Sequence, residues 1–318
     1  MRILILGKDG MLGNDLQKIF KDCDFIALNS KELDITKRDD VFARFMTIQP
    51  EIVINAAAYT DVDGAEKAAD IADVINGYAV GVLAKASREI NAVFVHFSTD
   101  YVFDGETRHG HREDDKTSPI NAYGRSKELG EKLVLEEMEL QAWPNQAAGK
   151  YFIIRTSWLF GGHGDNFVNK MIKMIQEDLK KDLEELEKDT KARGKKNRTE
   201  KVLLESEPQK LIEVVDDQFG KPTYTLDLAR QVRWLLESKE YPSGIYHIVN
   251  ENITNRYDFA KTILNLAKLP IFILPCSSKD YVTAAKRPKY AALMNTKLPP
   301  LRSWQEALED YIKTLSAC

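Results

Sequence analysis

A chain of 318 residues with 43% hydrophobic and 30% charged residues can bury a substantial core, either as one large α/β domain or as a large domain with a smaller one. Its formal net charge of −4 leaves no broad basic excess for phosphate backbones, which argues against nucleic-acid binding. The three cysteines, Cys23, Cys276 and Cys318, are widely spaced and form no metal-ligand pattern, which favours a reducing compartment.

The chain begins directly with a strand. Met1 and Arg2 run into the apolar stretch Ile3–Leu6, which leaves no room for the regions of a signal peptide. No apolar run approaches the roughly 20 residues of a membrane span. We therefore expect a cytoplasmic protein that does not bind membranes.

A glycine-rich turn follows this first strand and opens a helical pattern. Gly7 allows the sharp turn, Gly10 lets a pyrophosphate approach the backbone, and Gly13 lets the helix pack on the strand. The helix N-terminus, which includes Met11 and Leu12, adds N–H groups and positive potential. We interpret the GxxGxxG turn as a dinucleotide site, although three glycines alone could form a merely structural turn. This spacing is associated with short-chain dehydrogenases and their extended relatives.

The second strand, predicted at Phe25–Leu28, ends without the acidic residue that would hold the ribose 2′-hydroxyl of NAD. Three other residues stand there: Asn29, Ser30 and Lys31. We therefore expect NADPH to be bound, with NADH also accepted. Asp34 and Ile35 begin a short loop that could flank the adenine, although Asp34 could equally cap a helix or turn.

The third strand runs from Ile52 into three small residues, Ala56, Ala57 and Ala58. Small side chains at the carboxyl end of a strand allow a cofactor to approach, although alanines also fill tight contacts between a helix and a sheet. A helical stretch over Ala65–Asn91 leads to the next strand. Alternating strands and helices predict a Rossmann-type, doubly wound parallel sheet.

The fourth strand, Val93–Phe97, breaks off at polar residues that include Thr99. Ligands bind at this edge of an open α/β sheet. Tyr123 and Lys127 then lie four apart on one helical face, so the ammonium can lie near the phenol and favour the phenolate, as would a cationic oxidised nicotinamide. The Thr99 hydroxyl could hold a carbonyl against the phenol, an arrangement suited to carbonyl reduction. The alternative is a packed ring beside a solvated ammonium.

The second half departs from regular alternation. After a strand at Tyr151–Arg155, a loop from Trp158 to Asn166 could line a pocket, and Asn166 could orient a nucleotide base or cap the next helix. Asp216 and Asp217 invite a metal interpretation, but adjacent residues of a strand point to opposite faces, so we expect no metal site. Later helices and strands, ending in a helix near 303–315, predict a smaller C-terminal α/β substrate domain.

Seven stretches together resemble one family. In chain order they are GKDGMLG, NAAAYTDVDGAE, FSTDYVFDG, SPINAYGRSKELGE, RTSWLFG, VVDDQFGKPT and RPKYAALMNTKL. They resemble the dTDP-4-dehydrorhamnose reductases, an extended short-chain dehydrogenase family, over nearly the whole chain. The resemblance implies an NAD(P)H-dependent oxidoreductase that reduces the C4 keto group of dTDP-4-dehydro-L-rhamnose to dTDP-L-rhamnose in nucleotide-sugar biosynthesis.

The resemblance also implies roles for individual residues. Thr99, Tyr123 and Lys127 would be the catalytic hydroxyl, general acid and supporting lysine, with Lys127 also on the nicotinamide ribose. Four residues would lie beside the sugar or nicotinamide: Asp100, Tyr101, Val102 and Phe103. Trp158 would stack near the sugar unless it belongs to the core, and Arg287 resembles the diphosphate-binding arginine, a role that suits its planar donor fork.

Residues 1–155 are then expected to form mainly the dinucleotide-binding domain, and 156–318 mainly the substrate-binding part, interleaved with the first. Compared with the family, residues 177–210 look like an insertion, and 180–201 contain 15 charged residues in 22. The basic end of the insertion could contact a polyanion or simply be solvated. Some relatives use magnesium at a dimer contact, so the resemblance is also compatible with a homodimer.

Two alternatives to this function remain from the sequence. One is a reductase of another nucleotide-linked 4-keto-6-deoxysugar, because the sequence shows neither the face of hydride attack nor the shape of the pocket. The other is a non-catalytic regulatory subunit, because the resemblance extends to the β subunit of methionine adenosyltransferase. The intact Thr99, Tyr123 and Lys127 favour an enzyme.

Overall fold

The computed structural model of the protein describes residues 1–139, 149–193, 212–269 and 271–316. The first half alternates strands with helices: β1 (Arg2–Leu6), α1 (Met11–Ile19), β2 (Asp24–Leu28), α2 (Arg38–Ile48), β3 (Ile52–Asn55), α3 (Val62–Lys67), α4 (Ala69–Asp73), a π-helical turn (Val74–Tyr78), α5 (Ala79–Glu89), β4 (Val93–Thr99), a 3₁₀ turn (Asp100–Val102) and α6 (Ala122–Glu139).

The second half is less regular and has several short strands. Its elements are β5 (Tyr151–Thr156), β6 (Leu159–Phe160), α7 (Phe167–Arg193), β7 (Ile212–Val215), β8 (Phe219–Gly220), β9 (Thr223–Tyr224), α8 (Thr225–Ser238), β10 (Gly244–His247), β11 (Thr254–Asn255), α9 (Arg256–Leu266), β12 (Ile273–Cys276) and α10 (Trp304–Ser316).

Within the described residues, six strands form one parallel sheet in the order β10-β5-β4-β3-β1-β2. β1 lies between β2 and β3 and pairs with both through Ile3–Leu6, and the strand order reverses between β1 and β3. The carboxyl ends of β1, β3 and β4 therefore meet at one crevice, where an open α/β sheet binds its ligands. The predicted doubly wound parallel sheet is confirmed.

Helices cover both faces of this sheet, which explains why its central strands are buried along almost their whole length and mostly apolar. On one face, α2, α5 and α6 pack against inward side chains such as Leu4, Val53 and Phe94. On the other, α1 and α8 pack against side chains such as Ile5 and Val95. The two cores are the rigid support on which the crevice is built.

The remaining elements form the smaller C-terminal α/β part. Three strand pairs, β6 with β9, β8 with β11 and β7 with β12, are present in the described chain. They pack with α7, α9 and α10 around buried residues such as Phe160, Phe259 and Tyr311. Part of the predicted loop after Trp158 is thus the short strand β6. Two elements of the second half belong to the larger part instead: α8 packs on one face of the large sheet, and β10 pairs with β5.

The helix α7 runs to Arg193, so the predicted insertion at 177–210 begins inside a helix. The rest of that stretch, 194–210, lies outside the described residues, and both the insertion and the domain boundary at 155 and 156 stay predictions. None of the described helices combines the length and the apolar character that crossing a membrane requires.

Candidate active site

The glycine turn after β1 has the geometry of a phosphate cradle. Gly7 has φ +83°, a left-handed conformation that favours glycine, and its N–H donates to the Leu28 carbonyl at 2.9 Å. A Cβ on Gly13 would lie 2.1 Å from the Gly7 oxygen, so α1 packs on the turn only with glycine there. No described side chain caps Gly10 at the start of α1. The first N–H groups of the helix, those of Met11 and Leu12, are therefore not capped by a described side chain.

The loop after β2 carries an acidic residue that the sequence prediction did not include. Glu32 accepts a hydrogen bond from the Asn29 backbone N–H at 2.9 Å and from the Lys8 ammonium at 2.7 Å. The Asn29 side-chain amide in turn donates to Asp9 at 2.8 Å, while Ser30 and Lys31 lie beside it. A carboxylate therefore does stand at the end of β2, three residues later than expected, with a lysine as its counter-ion.

The other predicted cofactor residues surround the same crevice. Ala56 and Ala57 approach Gly7 so closely that a Cβ on this glycine would lie 2.7 Å from the Ala57 nitrogen. Asp34 accepts hydrogen bonds from the backbone N–H and the hydroxyl of Thr36 at 3.0 and 2.7 Å, so it stabilises its own turn. Ile35 is buried in the core, and Ala58 follows the other alanines.

Thr99 and Tyr123 lie together at the carboxyl end of β4. The Thr99 hydroxyl donates to the Asp100 carboxylate at 2.9 Å, and the Tyr101 backbone N–H donates to Thr99 at 3.2 Å. The half-buried Tyr123 ring stands edge-on to the Tyr101 ring with 5.9 Å between centroids. Burial, and then the charge of Asp100, raise the pKa of Tyr123, while a hydrogen bond with Thr99 acts in the opposite direction.

The expected lowering of the Tyr123 pKa by Lys127 is wrong: burial is the largest influence on the phenol, and Lys127 is not among the groups that shift it, since its ammonium donates to the Phe97 carbonyl instead. The protein therefore keeps the Tyr123 phenol protonated. That is the form a proton donor must have before a carbonyl is reduced.

Lys127 is almost completely buried, and its ammonium donates to the Phe97 carbonyl at 2.6 Å. Its Nζ also lies 3.3 Å from Nε2 of the buried His96. Burial lowers the pKa of Lys127 to about 8, although the Glu131 carboxylate raises it in part. This lysine therefore titrates much closer to neutral pH than a solvated one.

Asp100 is the third group of the site with a shifted pKa, since burial raises the pKa of this carboxyl to about 7. The Thr99 hydrogen bond and the Arg256 guanidinium act in the opposite direction. Its Oδ2 is buried and has no hydrogen-bond partner in the described part of the chain. An uncompensated carboxylate oxygen beside Thr99 and Tyr123 is a natural acceptor for a ligand hydroxyl.

Arg256 is a residue of the site that sequence reasoning missed. Its guanidinium stacks 3.6 Å from the Trp158 ring centroid and also hydrogen-bonds the Tyr101 side chain. Trp158 has φ +46°, a strained conformation for a bulky residue, which the surrounding contacts must hold in place. Trp158 also packs near Phe259, so it is both part of a core and covered by a cation. No sequence signal distinguishes Arg256 from a surface arginine at the start of a helix.

Arg287 makes a two-pronged ion pair with Asp63 of α3, at 2.9 and 2.6 Å. The Arg287 hydrogen bonds hold the pKa of Asp63 at about 2. Asp63 also accepts a hydrogen bond from the Ala285 backbone N–H at 2.9 Å. The segment that bears Arg287 is thereby attached to the N-terminal half, close to the same crevice.

Three other predicted site residues have structural roles. Val102 and Phe103 are fully buried, and Phe103 stacks on the His111 ring at 4.2 Å. Their side chains are thus core. The Asn166 amide accepts from the Asn169 backbone N–H and donates to the Gly161 carbonyl, both at 3.0 Å, which caps α7.

Asp217 accepts hydrogen bonds from Ser277 and Ser278, so it anchors a loop. The described residues contain no cluster of three or more His, Cys, Asp or Glu side chains that could hold a metal ion.

Comparison with known proteins links this geometry to one group. The family model described as "RmlD substrate binding domain" matches residues 1–184 and 192–317. The chain is 34% identical to the spore coat polysaccharide biosynthesis protein SpsK of Bacillus subtilis, over 99% of this chain and 98% of that protein. It is equally 34% identical to a dTDP-4-dehydrorhamnose reductase of Aggregatibacter actinomycetemcomitans, over 97% of each protein.

A third relative and one solved structure extend this picture. A dTDP-4-keto-6-deoxy-D-glucose reductase of Streptomyces niveus is also 34% identical, over 99% of this chain and 98% of that protein. The crystal structure of a dTDP-4-dehydrorhamnose reductase from Bacillus anthracis in complex with NADP is similar with a TM-score of 0.82 and 35% identity, over 98% of this chain and 99% of that chain.

Proposed function

The chain belongs to the RmlD substrate binding domain family, and from that membership we propose that it is an NADPH-dependent oxidoreductase that reduces the C4 carbonyl of dTDP-4-dehydro-L-rhamnose to give dTDP-L-rhamnose. The observation that carries the proposal is the placement of the Tyr123 phenol beside Thr99 at the carboxyl end of a parallel strand, where burial raises the pKa of the phenol. Relatives named as reductases of this substrate share about a third of the sequence over almost the full length.

The glycine turn suits a dinucleotide. The close contact of Gly13 with Gly7 and the absence of a described side-chain cap at Gly10 leave backbone N–H groups for a pyrophosphate. Asn29 and Lys8 would lie beside the adenosine ribose, and Lys127 beside the nicotinamide ribose. When bound, NADPH supplies the hydride, and a relative of similar structure was crystallised with NADP.

The reduction needs one proton for the oxygen that becomes an alkoxide. Tyr123 would donate it, since its pKa is raised and the phenol stays protonated at neutral pH. Thr99 would help to position the oxygen, and the ammonium of Lys127 would favour the phenolate that remains. The buried, unpartnered Oδ2 of Asp100 would accept a hydrogen bond from a sugar hydroxyl.

A second candidate is reduction of another nucleotide-linked 4-keto-6-deoxysugar. It is favoured by the equal identity of the chain to the dTDP-4-keto-6-deoxy-D-glucose reductase of Streptomyces niveus. A regulatory subunit without catalysis agrees less well with the constellation of Thr99, Tyr123 and Lys127. Magnesium at a dimer contact and the homodimer itself remain predictions.

The proposed activity is tested by mixing the protein with dTDP-4-dehydro-L-rhamnose and following the loss of reduced cofactor by its near-ultraviolet absorbance. We expect turnover with NADPH and weaker turnover with NADH, because Lys8 and Lys31 can face a 2′-phosphate while Glu32 has Lys8 as its partner. Turnover of only other ketosugars would support the second candidate, and an absence of turnover with every ketosugar would refute both candidates.

Glu32→Gln should raise the NADPH to NADH ratio of kcat/KM, since the 2′-phosphate of NADPH then meets less negative charge.

Arg287 provides a test of substrate binding. We expect Arg287→Leu to raise KM for the nucleotide sugar about tenfold to a hundredfold with a smaller effect on kcat, since a hydrogen bond to a charged group contributes about 1.5–3 kcal/mol. Asp63→Asn is the matched control, because it weakens the ion pair but keeps the guanidinium. An equal rise of KM in both variants would show that Arg287 only attaches its segment to α3.

A further inference from the structure

A chain of buried polar groups runs behind Lys127, away from Tyr123. Asn55 at the end of β3, His96 in β4 and Lys127 in α6 are 1%, 0% and 2% exposed. Asn55 Nδ2 lies 3.2 Å from His96 Nδ1, and His96 Nε2 lies 3.3 Å from Lys127 Nζ. None of these contacts was expected from the sequence, and the proposed chemistry does not yet use Asn55 or His96.

The contact of Asn55 with the Ala57 backbone fixes the direction of the hydrogen bonds from Asn55 through His96 to Lys127. The Ala57 backbone N–H donates to Asn55 Oδ1 at 3.1 Å, so the amide presents its NH₂ group to His96. A flipped amide would place two donors against each other at Ala57. His96 Nδ1 must therefore be an acceptor. A neutral imidazole has one acceptor and one donor nitrogen, so the proton of His96 is on Nε2.

His96 is held in the neutral form. Burial, and then the nearby charge of Lys127, lower the pKa of His96 well below its ordinary value. Its Nε2–H consequently faces Lys127 Nζ as a donor. An ammonium has three donors and no acceptor, so it opposes this N–H, whereas the neutral amine accepts it.

We propose that Asn55 holds His96 in the tautomer that carries its proton on Nε2, and that His96 thereby acts as a positioning residue that favours the amine form of Lys127. The proposal rests on the proposed function, since it explains how the fold sets the charge of the supporting lysine. Lys127 becomes a group whose charge changes within the working pH range. The ammonium form is stabilised against the amine by the Phe97 carbonyl, which accepts a hydrogen bond from it at 2.6 Å, and by the charge of Glu131.

Other charged groups around Lys127 must be separated from this effect. Glu131 lies one turn further along α6 and is paired with Arg155 of β5 at 2.7 Å. Asp100, Tyr101 and Tyr123 lie on the substrate side, and of these only Asp100 has a pKa near neutrality. A limb of the pH profile near pH 7 would belong to Asp100 and would disappear in Asp100→Asn.

Asn55→Asp reverses the hydrogen-bond direction without changing the shape of the side chain. The carboxylate still accepts from Ala57 but now also accepts from His96 Nδ1–H, which leaves Nε2 as an acceptor for the ammonium of Lys127. The pKa of Lys127, about 8, predicts an alkaline limb of the wild-type kcat profile near that pH. We expect this limb to move up by about one pH unit or more in Asn55→Asp, with little change in KM for the nucleotide sugar. An unchanged limb would overturn the proposal.

The tautomer itself is measured by ¹⁵N NMR of the histidine rings, which needs no turnover. The chain has five histidines, and His96→Phe assigns the signal. We expect the Nε2–H tautomer in the wild type and the Nδ1–H tautomer in Asn55→Asp. A wild-type Nδ1–H tautomer would refute the proposal even if the variant does not fold. Absence of reductase turnover in the wild type would instead refute the proposed function and leave the NMR result valid.

Discussion

Tyr123→Phe is expected to lower kcat for the ketosugar about 10²–10⁴-fold while cofactor binding and KM change little. The variant removes one hydroxyl at a half-buried site where the pKa of the phenol is raised, so the proton for the developing alkoxide loses its donor. The ring and its edge-on contact with Tyr101, with 5.9 Å between centroids, remain. Stopped-flow measurement of the hydride step with NADPH would separate the chemical step from product release.

Tyr101→Phe is the matched control, because Tyr101 is another tyrosine of the same site. Its hydroxyl is hydrogen-bonded with Arg256 rather than Thr99, so its loss should affect sugar binding more than the hydride step. The assignment of Tyr123 as the general acid is wrong if Tyr123→Phe keeps kcat within tenfold of the wild type, or if Tyr101→Phe is the more severely impaired. Both variants should retain the wild-type melting temperature within a few degrees.

Much of the fold was accessible from sequence, because a buried parallel strand produces a continuous apolar run that ends at the crevice. The apolar run predicts a strand at Val93–Phe97, and β4 extends to Thr99. The short strands of the second half are not predicted, since pairs such as Leu159–Phe160 with Thr223–Tyr224 are too short to show a period. Their pairing depends on tertiary contacts across about sixty residues.

The site was only partly accessible for a related reason. The four-residue spacing of Tyr123 and Lys127 indicates that both point to one face, but not what surrounds them. The contact of Lys127 with His96 is set by the register of β4 beside α6, and the stacking of Arg256 on Trp158 by contacts far apart in sequence. Glu32 was overlooked because the acidic residue was expected at the end of β2 rather than three residues further on.

A buried ion pair behind the site predicts the largest effect on stability. Arg155 binds the Glu131 carboxylate through Nε at 2.9 Å and Nη2 at 2.7 Å, and both side chains are almost fully buried. Ser98 also donates to this carboxylate, and the Arg155 guanidinium lies 5.0 Å from the Phe103 ring centroid. The pair joins β5 to α6, the helix that carries Tyr123 and Lys127.

Arg155→Met should lower the free energy of unfolding by about 3–5 kcal/mol, because it leaves the Glu131 carboxylate buried without its cation. Glu131→Leu in the same chain should recover most of the loss, since two apolar side chains of similar volume replace the pair. Chemical denaturation of the wild type, both single variants and the double variant measures the coupling between the two residues. Additive losses in the double variant would show that the ion pair is not what holds β5 to α6.

The same double variant should also lower the pKa of Lys127, because Glu131 stabilises the ammonium of this lysine. The alkaline limb of the activity profile should therefore move to lower pH.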